Sequence, residues 1–356
     1  MTRLSASRGF QKWAARFPLT RGIVRREGEA IFDLLAGFCH SQVLMALVKL
    51  NVLQALLERP QNTRALAHRS AVPEPRMAVL LKAAAALSLV TQKRSAEWSL
   101  TQRGAALLGV PGLTEMIAHH NVLYRDLEDP VAFFRGTKDT ELATFWPYVF
   151  GGAMDPAVAA TYSDLMAQSQ VLVAEDTLRA FSFSNTQVLM DVGGGSGAFL
   201  EAVGCAYPTL QMRLFDLPEV APSARDRFAQ AGMGARFEAW SGSFRTDPLP
   251  RGADTISLVR VLYDHADETV EALLAACFAA LPSGGRLVVS EPMSGGDSPN
   301  RAGDAYFALY TLAMGTGKAR SSREISDLCH AAGFGDIRRP KAPRPFVTQC
   351  VACRKP

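Results

Sequence analysis

The stretch VLMDVGGGSGAFL, residues 188–200, joins a short apolar run to a glycine-rich turn and then to a helix-forming segment. Gly193, Gly195 and Gly197 allow the backbone to bend tightly and to approach a ligand closely at the carboxyl end of a strand. The stretch predicts an α/β sheet with a nucleotide-type cofactor beside its first strand. Gly193, Gly195 and Ala198 also fit the spacing of a nicotinamide dinucleotide site, so this segment alone does not choose the cofactor.

A second signal is Asp216 in LFDLPEV, which ends the following apolar run roughly 20 residues further on. A carboxylate at this place accepts hydrogen bonds from ribose hydroxyls. The two signals together narrow the ligand to one with an adenosine-like ribose, which S-adenosylmethionine and nicotinamide cofactors share. A helix cap before Pro218 is the alternative role for Asp216.

From residue 185 onward, short apolar runs alternate with helical stretches, which is typical of a parallel sheet with helices on both faces. We predict five such strands and a final antiparallel pair. The predicted strands are Val188–Val192, Met212–Phe215, Arg236–Ala239, Thr255–Leu262, Arg286–Ser290, and the pair near Asp336–Arg339 and Phe346–Ala352. The fold class is therefore α/β.

The N-terminal half has a different pattern, because residues 31–110 carry apolar positions at helical spacing and a ribbon-like stretch at 97–100. Three helices and a small β-ribbon make a winged-helix-like unit, an arrangement that can place a helix in the DNA major groove. The corresponding helix, at about 76–90, is dominated by Ala, Leu and Val, whereas base recognition needs polar side chains. We expect this unit to pack against another subunit or against the rest of the chain.

The length of 356 residues exceeds what one compact core usually holds, so more than one domain is expected. Residues 111–180 continue as helices with aromatic segments, and we expect a lid or a substrate wall there. The predicted division is a basic arm at 1–30, a helical domain at 31–180 and a cofactor-binding domain at 181–356.

The basic arm has seven Arg or Lys residues and no acidic residue among its first 26 positions. Phe10, Trp13 and Phe17 are interleaved with these charges. Such a mixture suits adhesion to an anionic lipid surface, with a frayed, solvated tail as the alternative.

Composition disfavours several other classes. The formal charge of +4 is modest, so no nucleic-acid partner is expected. No stretch of about twenty apolar residues is found, so we expect no membrane span. Six scattered cysteines and the lack of a secretory signal favour a reduced cytoplasm without a metal site. Cys350 and Cys353 form a lone CxxC, for which an alternating final strand is favoured over zinc.

Six segments follow the helical half in a fixed order: GGGSG, FDLP, GSF, VRVLYDHADE, LPSGGRLVVSEP and AAGF. With this series the chain resembles the plant and bacterial small-molecule O-methyltransferase family over almost its whole length beyond the arm. The resemblance implies a Rossmann-like methyltransferase sheet that binds S-adenosyl-L-methionine. It also implies an N-terminal all-helical, winged-helix-like dimerisation domain, and hence a homodimer.

The resemblance assigns a set of residues to the cofactor: Asp191, Gly193, Gly195, Asp216, Leu217, Ser243, Phe244 and Arg260. Asp216 would hold the ribose, and Ser243 and Phe244 would flank the adenine. Ser243 departs from the family, which usually has an acidic residue there. A hydroxyl or the backbone would then make the adenine contact.

In the family, the histidine of a His-Asp-Trp run removes the acceptor's hydroxyl proton, and the matching residues here are Tyr263, Asp264 and His265. A phenol with an ordinary pKa of about 10 stays protonated near pH 7 and suits an orienting hydrogen bond better than the role of base. We predict His265 as the base, then His119 or His120, with Tyr263 as an orienting group. Loss of the usual histidine disfavours an ordinary phenol as acceptor.

Four segments, FCHSQVLMALVKL, MIAHHNVLYRDLEDPVAFFRG, FWPYVFG and VRVLYDH, are similar to the carotenoid O-methyltransferases of purple phototrophic bacteria. Those enzymes methylate the tertiary 1-hydroxyl of acyclic carotenoids such as hydroxyneurosporene and demethylspheroidene. The resemblance implies a small, apolar, hydroxylated acceptor and a cytoplasmic enzyme peripheral to the photosynthetic membrane. Phe145–Phe150, Tyr306–Tyr310 and Met314 would wall the acceptor tunnel, with plain core packing as the alternative.

Four other readings stay open on the residues, and a phenolic O-methyltransferase is one of them. A bacteriochlorophyllide methyltransferase shares the architecture but methylates a ring carbon. A nicotinamide oxidoreductase needs a proton donor such as a Tyr-x-x-x-Lys pair, which is not found in a convincing place. A winged-helix regulator with a ligand-sensing domain predicts DNA affinity that falls with salt.

Overall fold

The computed structural model describes residues 2–144 and 156–356, with the side chains of 156–167 left out. Its chain forms two compact units, Met1–Val110 and Pro111–Pro356. These units follow from contacts alone, and the predicted functional division at 1–30, 31–180 and 181–356 stays a prediction.

The first unit is helical with one small ribbon. Strands β1, Val90–Gln92, and β2, Trp98–Leu100, pair in antiparallel fashion, which confirms the predicted ribbon. The helices of this unit are Thr2–Ser5, Arg8–Arg16, Arg21–Lys49, Val52–Glu58, Thr63–Arg69, Glu74–Ala86 and Gln102–Gly109. Leu53, Leu66 and Leu81 are fully buried in their common core with Trp98, because helical spacing puts these apolar residues on inward faces.

The prediction of no membrane span meets one candidate among the described residues, a helix that is long and apolar enough by length and composition alone. The helix Arg21–Lys49 contains an 18-residue window of mean hydropathy 1.7, of which 11% is buried. The sequence shows no uninterrupted apolar run there because Asp33, His40 and Gln42 break it, whereas a window average tolerates isolated polar residues. Length and composition alone are weak evidence for a span, since the core helix of a soluble protein passes the same test.

The second unit is built on a seven-stranded sheet of order β5-β4-β3-β6-β7-β9-β8. The strands are β3 Val188–Val192, β4 Gln211–Asp216, β5 Phe237–Ser241, β6 Thr255–Val259, β7 Arg286–Glu291, β8 Gly335–Arg338 and β9 Gln349–Arg354. The first five are parallel, and β9 runs antiparallel to both β7 and β8. The predicted strands are confirmed with small shifts at their ends, the largest being that β6 ends at Val259 and β9 begins at Gln349.

Helices cover both faces of this sheet, as predicted. Along β3, Met190 packs into one apolar cluster and Leu189 into the other, since successive side chains of a strand point to opposite faces. The helices of the unit are Leu113–His119, Asn121–Asp126, Pro130–Arg135, Glu141–Thr144, Pro156–Ala180, Ala198–Ala206, Ala221–Gln230, Asp267–Ala280, Ala308–Ala313 and Ser322–Ala331. Short 3₁₀ turns at Gly234–Arg236 and Leu262–Asp264 and a π-helix at Arg301–Phe307 complete it.

The strand order places the candidate site. From β3 the chain goes to β4 and β5 on one side and then to β6 and β7 on the other. In open α/β sheets, a ligand crevice forms outside the carboxyl ends of the strands at such a reversal of order. The glycine turn after β3 and Asp216 at the end of β4 both lie at this edge.

Candidate active site

The turn after β3 has a backbone that only glycine adopts easily. Gly193, Gly195 and Gly197 have φ of 70°, 60° and 77°, in the left-handed region. A Cβ on Gly197 would lie 2.8 Å from the ring of Phe228, whereas a Cβ on Gly195 would meet no atom within 4 Å. The turn is therefore packed against the protein on one side and open at Gly195, which is the shape that a cofactor cradle requires.

Asp216 is bound to this turn by both carboxylate oxygens. Its Oδ2 accepts the Gly195 N–H at 2.7 Å and its Oδ1 accepts the Leu217 N–H at 2.7 Å. Each oxygen keeps a further lone pair for a ribose hydroxyl. Burial raises the pKa of Asp216, and the two backbone donors oppose that rise. The predicted ribose contact thus fits the geometry, and the structure brings Gly193, Gly195, Asp216 and Leu217 together.

Asp191 lies beneath the same turn. Its Oδ1 accepts the Ser257 hydroxyl at 2.6 Å, while its Oδ2 has no hydrogen-bond partner among the described residues. A Cβ on Gly194 would collide with this free oxygen. Burial raises the pKa of Asp191 to about 7. A buried carboxylate with an open lone pair under the cradle suits a cationic cofactor such as a sulfonium amino acid.

His265 and Phe244 meet at the next strand ends. Their rings contact edge to face with centroids 5.3 Å apart, and His265 Nδ1 lies 3.2 Å from Arg245 Nη2. A Cβ on Gly193 would lie 3.9 Å from Phe244, so this pair borders the glycine turn. The pKa of His265 is lowered to about 4, first by burial and then by the Arg245 and Arg320 charges. These contacts place the predicted base on the predicted adenine side of the site.

Ser243, predicted beside the adenine, is tied into its own turn. Its N–H donates to Asp247 Oδ2 at 2.8 Å, and its hydroxyl oxygen accepts the Arg245 N–H at 3.3 Å. A carboxylate from Asp247 thus occupies this corner although position 243 lacks one. The adenine role of Ser243 and Phe244 stays a prediction.

Tyr263 and Arg260 form a separate group. Arg260 has φ of 58°, rare for a residue with a side chain, and it donates to the Tyr263 hydroxyl at 3.3 Å and to the Ser169 hydroxyl at 2.7 Å. Backbone strain of this kind gathers at functional sites. Burial raises the pKa of Tyr263 well above its usual range, so the phenol stays protonated. These contacts fit the orienting role predicted for Tyr263. Arg260 contacts Tyr263 and Ser169, and its cofactor role stays a prediction.

Two buried groups that the sequence reasoning missed hold Tyr263 in place. Glu291 Oε2 accepts the Tyr263 N–H at 3.2 Å, and fully buried Arg320 donates to the backbone oxygens of Leu262 and His265, both at 2.9 Å. Burial raises the pKa of Glu291 to about 7. An acidic residue ending β7 was the available signal, because it closes a strand whose centre, Leu287–Val289, is apolar.

His119 and His120 each contact a tyrosine. His120 Nε2 lies 2.7 Å from the Tyr306 hydroxyl, and His119 Nε2 lies 3.3 Å from the Tyr310 hydroxyl. Burial lowers the pKa of His120 to about 4 and also lowers that of His119. The sequence predicted the two histidines as candidate bases and Tyr306–Tyr310 as part of the wall of the acceptor tunnel. It did not predict that these histidines and tyrosines pair. Tyrosines four positions apart, which share a helix face, were the available signal.

Around Tyr310 the wall is apolar. Tyr310 and Met314, both predicted to wall a tunnel, pack in one cluster with Val122, Leu123 and Phe133. The predicted segment Phe145–Phe150 lies outside the described residues. Within the described part of the chain, no group of three His, Cys, Asp or Glu side chains is placed to hold a metal.

Family models match both parts of the chain. A model described as an O-methyltransferase dimerisation domain matches residues 32–109, and one described as an O-methyltransferase domain matches residues 124–335. The second match contains the glycine turn, Asp216 and Tyr263.

Relatives match over the whole length. Demethylspheroidene O-methyltransferase of Cereibacter sphaeroides is 54% identical over 99% of this chain and 94% of its own. The enzyme of the same name from Rhodobacter capsulatus is 50% identical over 99% of this chain and 89% of its own. Human N-acetylserotonin methyltransferase, solved in complex with S-adenosylmethionine, superposes with a TM-score of 0.78 at 24% identity, over 92% of this chain and 97% of that one. That likeness confirms the fold.

Proposed function

The chain belongs to the family of S-adenosylmethionine-dependent O-methyltransferases, and from this premise we propose that it methylates the tertiary 1-hydroxyl of an acyclic hydroxycarotenoid. The observation that carries the proposal is the full-length identity of 54% and 50% to two demethylspheroidene O-methyltransferases. At this identity and coverage a shared acceptor is the simplest expectation. The reaction would belong to carotenoid biosynthesis.

The donor site of this proposal uses the cradle after β3. Asp216 would bind the ribose hydroxyls, Phe244 would flank the adenine with Ser243, and Asp191 would lie below the cationic end. The N–H of Leu217, which donates to Asp216 Oδ1, would lie in the same part of the donor site. When bound, S-adenosylmethionine supplies an electrophilic methyl group on a sulfonium. The chain's own task is then to hold the acceptor oxygen in line and to take its proton.

The acceptor side would be formed by Tyr263, Arg260 and the two His–Tyr pairs. Arg260 donates to the Tyr263 hydroxyl, and that hydroxyl would orient the acceptor oxygen. His265 contacts Phe244 and Arg245 instead, so its contacts favour a role beside the adenine. We therefore place His119 and His120 before His265 as candidates for the base.

The N-terminal arm would bring the enzyme to the membrane that holds such a carotenoid. The helix Arg8–Arg16 exposes Trp13, stacked on Phe17 at 5.0 Å, among basic residues. An amphipathic basic helix of this type lies on anionic lipid headgroups. A dimerisation domain at 32–109 supports a homodimer, and the proposed location is cytoplasmic and peripheral to the photosynthetic membrane.

The deciding experiment offers the purified protein S-adenosylmethionine together with three acceptors: an acyclic 1-hydroxycarotenoid, a bacteriochlorophyllide and a simple phenol. We expect mass spectrometry to find one added methyl group on the hydroxycarotenoid alone. The carotenoid that lacks the hydroxyl is the matched control. A methyl group gained only by the tetrapyrrole or the phenol, with normal donor binding, would overturn the proposed acceptor.

A further inference from the structure

The contact between Tyr306 and His120 has the geometry that proton transfer requires. The two residues are 186 positions apart in the chain, and the hydroxyl and Nε2 are separated by 2.7 Å. Both side chains are half-buried, so each keeps an open side. The neighbouring pair, Tyr310 with His119, is longer at 3.3 Å, and Tyr310 is buried in the apolar cluster.

Several contacts fix the π-helix that carries Tyr306. This helix, Arg301–Phe307, has a form that is frequent at functional sites. Asp304 Oδ2 accepts the Gly295 and Asn300 N–H groups, each at 2.7 Å. A Cβ on Gly303 would collide with the backbone oxygen of Met293, so the π-helix packs closely against the segment that follows β7.

We propose that Tyr306 is a catalytic residue that takes the acceptor's hydroxyl proton while it passes its own proton to His120. This inference rests on the proposed function and names the residue that touches the acceptor oxygen. Tyr263 is less suited to the same step, because it is fully buried and its hydroxyl accepts from a cationic guanidinium. Tyr306 instead has a neutral imidazole behind it.

The step balances in atoms and charge. The acceptor oxygen forms a bond to the methyl carbon as the bond from that carbon to sulfur breaks. The hydroxyl proton moves to the Tyr306 oxygen, and the Tyr306 proton moves to His120 Nε2. The positive charge of the sulfonium thus ends on an imidazolium, Tyr306 remains a neutral phenol, and His120 returns its proton to water.

The acid–base character of the pair agrees with this sequence of events. Burial raises the pKa of Tyr306 to about 12, so the phenol carries its proton at neutral pH. With its pKa lowered to about 4, His120 is neutral before the step and releases the proton readily after it. Proton removal from an aliphatic alcohol has to accompany methyl transfer, which a relay of this kind allows.

The test begins with acceptor binding in the absence of donor, measured by quenching of protein fluorescence. The wild-type enzyme should bind the 1-hydroxycarotenoid about tenfold more tightly than the carotenoid lacking the hydroxyl, as one hydrogen bond provides. Tyr306→Phe should bind both equally. Tyr124→Phe is the matched control. The ring of Tyr124 also lies beside that of His120, with centroids 6.3 Å apart, so this variant should keep the preference for the hydroxylated carotenoid.

Turnover supplies the second readout. We expect Tyr306→Phe and His120→Asn to lower kcat by about 10²-fold, with the KM for the donor unchanged. Thermal unfolding of each variant separates loss of the relay from loss of the fold. Wild-type kcat with a preserved hydroxyl preference in Tyr306→Phe would overturn the inference and leave the proposed function intact. Failure of the wild-type enzyme to methylate the hydroxycarotenoid would overturn both.

Discussion

At the scale of single residues, two aspartates at neighbouring strand ends have different surroundings and different uses. Asp216 accepts two backbone N–H groups, whereas Asp191 accepts one hydroxyl and leaves one oxygen unpaired among the described residues. Burial raises the pKa of Asp216, and the two fixed N–H donors oppose that rise by favouring its charged form. The carboxylate of Asp191 is poised to ionise when a cation arrives.

Asp216→Asn should weaken S-adenosylmethionine binding about 10- to 100-fold. The amide NH₂ would replace one of the two oxygens, each of which accepts one backbone N–H and, as proposed, binds the ribose hydroxyls. Isothermal calorimetry measures the effect, and Glu219→Gln, an exposed change three positions later, is the matched control. Equal affinity in Asp216→Asn would contradict the ribose assignment.

Asp191→Asn should change how stability depends on pH. Between the ordinary aspartate pKa of 3.8 and the raised value of about 7, the folded protein binds more protons than the unfolded chain, so wild-type stability falls as pH rises. Without bound S-adenosylmethionine, we expect the free energy of unfolding of the variant to rise by about 3 kcal/mol relative to that of wild type as the pH goes from 4 to 8. Urea unfolding at both pH values measures this gain, and parallel curves would refute it.

The pH dependence of turnover distinguishes a buried imidazole from an exposed one. A lowered pKa of about 4 leaves His120 neutral and able to accept a proton at all higher pH values. We expect kcat to stay level from pH 8 down to about 5 instead of falling near 6.5, the ordinary histidine pKa. An inflection near 6.5 that disappears in His120→Asn would contradict the burial of this side chain.

At the scale of elements, two short irregular segments position the side chains of the proposed acceptor side. The 3₁₀ turn Leu262–Asp264 is held by Arg320 and Glu291, and the π-helix Arg301–Phe307 by Asp304 and the close approach of Gly303. Neither segment is a regular α-helix. Contacts from distant parts of the chain therefore supply the precision of the acceptor side.

Gly303→Ala should cost about 1–3 kcal/mol of stability and lower turnover, because the added methyl group collides with the Met293 backbone and shifts the π-helix. Gly109→Ala is the matched control, since a Cβ there meets no atom within 4 Å. Chemical unfolding and kcat are measured on both variants. A Gly303→Ala protein as stable and active as Gly109→Ala would show that the π-helix yields without consequence.

At the scale of the whole molecule, the first unit exposes many large apolar side chains on its longest helix. Ile31, Phe32, Leu34, Leu35 and Phe38 are each between 64% and 78% exposed, which exceeds what a lone surface helix usually shows. They lie at the start of the dimerisation-domain match or one residue before it. A second copy of the domain is the natural cover for such a face.

Leu34→Asp should therefore convert the homodimer to a monomer, because a carboxylate would be buried without a partner in the interface. Sedimentation velocity measures the change in mass. Leu57→Asp, another exposed leucine on a different helix of the same unit, is the control and should leave the dimer intact. A dimeric Leu34→Asp protein would exclude this face as the interface.

The same unit carries the proposed membrane contact. Trp13→Ala should lower binding to vesicles of anionic phosphatidylglycerol by about tenfold, and salt should weaken the remaining binding, because the contact combines apolar insertion with charge. Co-sedimentation measures both effects, with neutral phosphatidylcholine vesicles as the control. Equal pelleting of wild type and variant would remove the arm from the membrane contact.

Sequence patterns gave a reliable account of the regular elements. The strand at 188–192 was predicted to the residue, and the order of strands and helices was enough for the fold class. These features depend on local periodicity and on glycines whose positive φ excludes other residues. Prediction failed where a strand ended early: β6 stops at Val259 because Arg260 adopts a left-handed φ, which no local pattern announces.

By itself, the sequence determined the sheet, the glycine cradle and the carboxylate that closes it, since each depends on residues near one another in the chain. Only the tertiary structure decided which histidine faces which group. It placed His265 against Phe244 and brought His120 to Tyr306 across 186 residues. The physical reason is that side-chain direction in irregular turns is fixed by packing against distant segments, and hydropathy along the chain carries no record of such contacts.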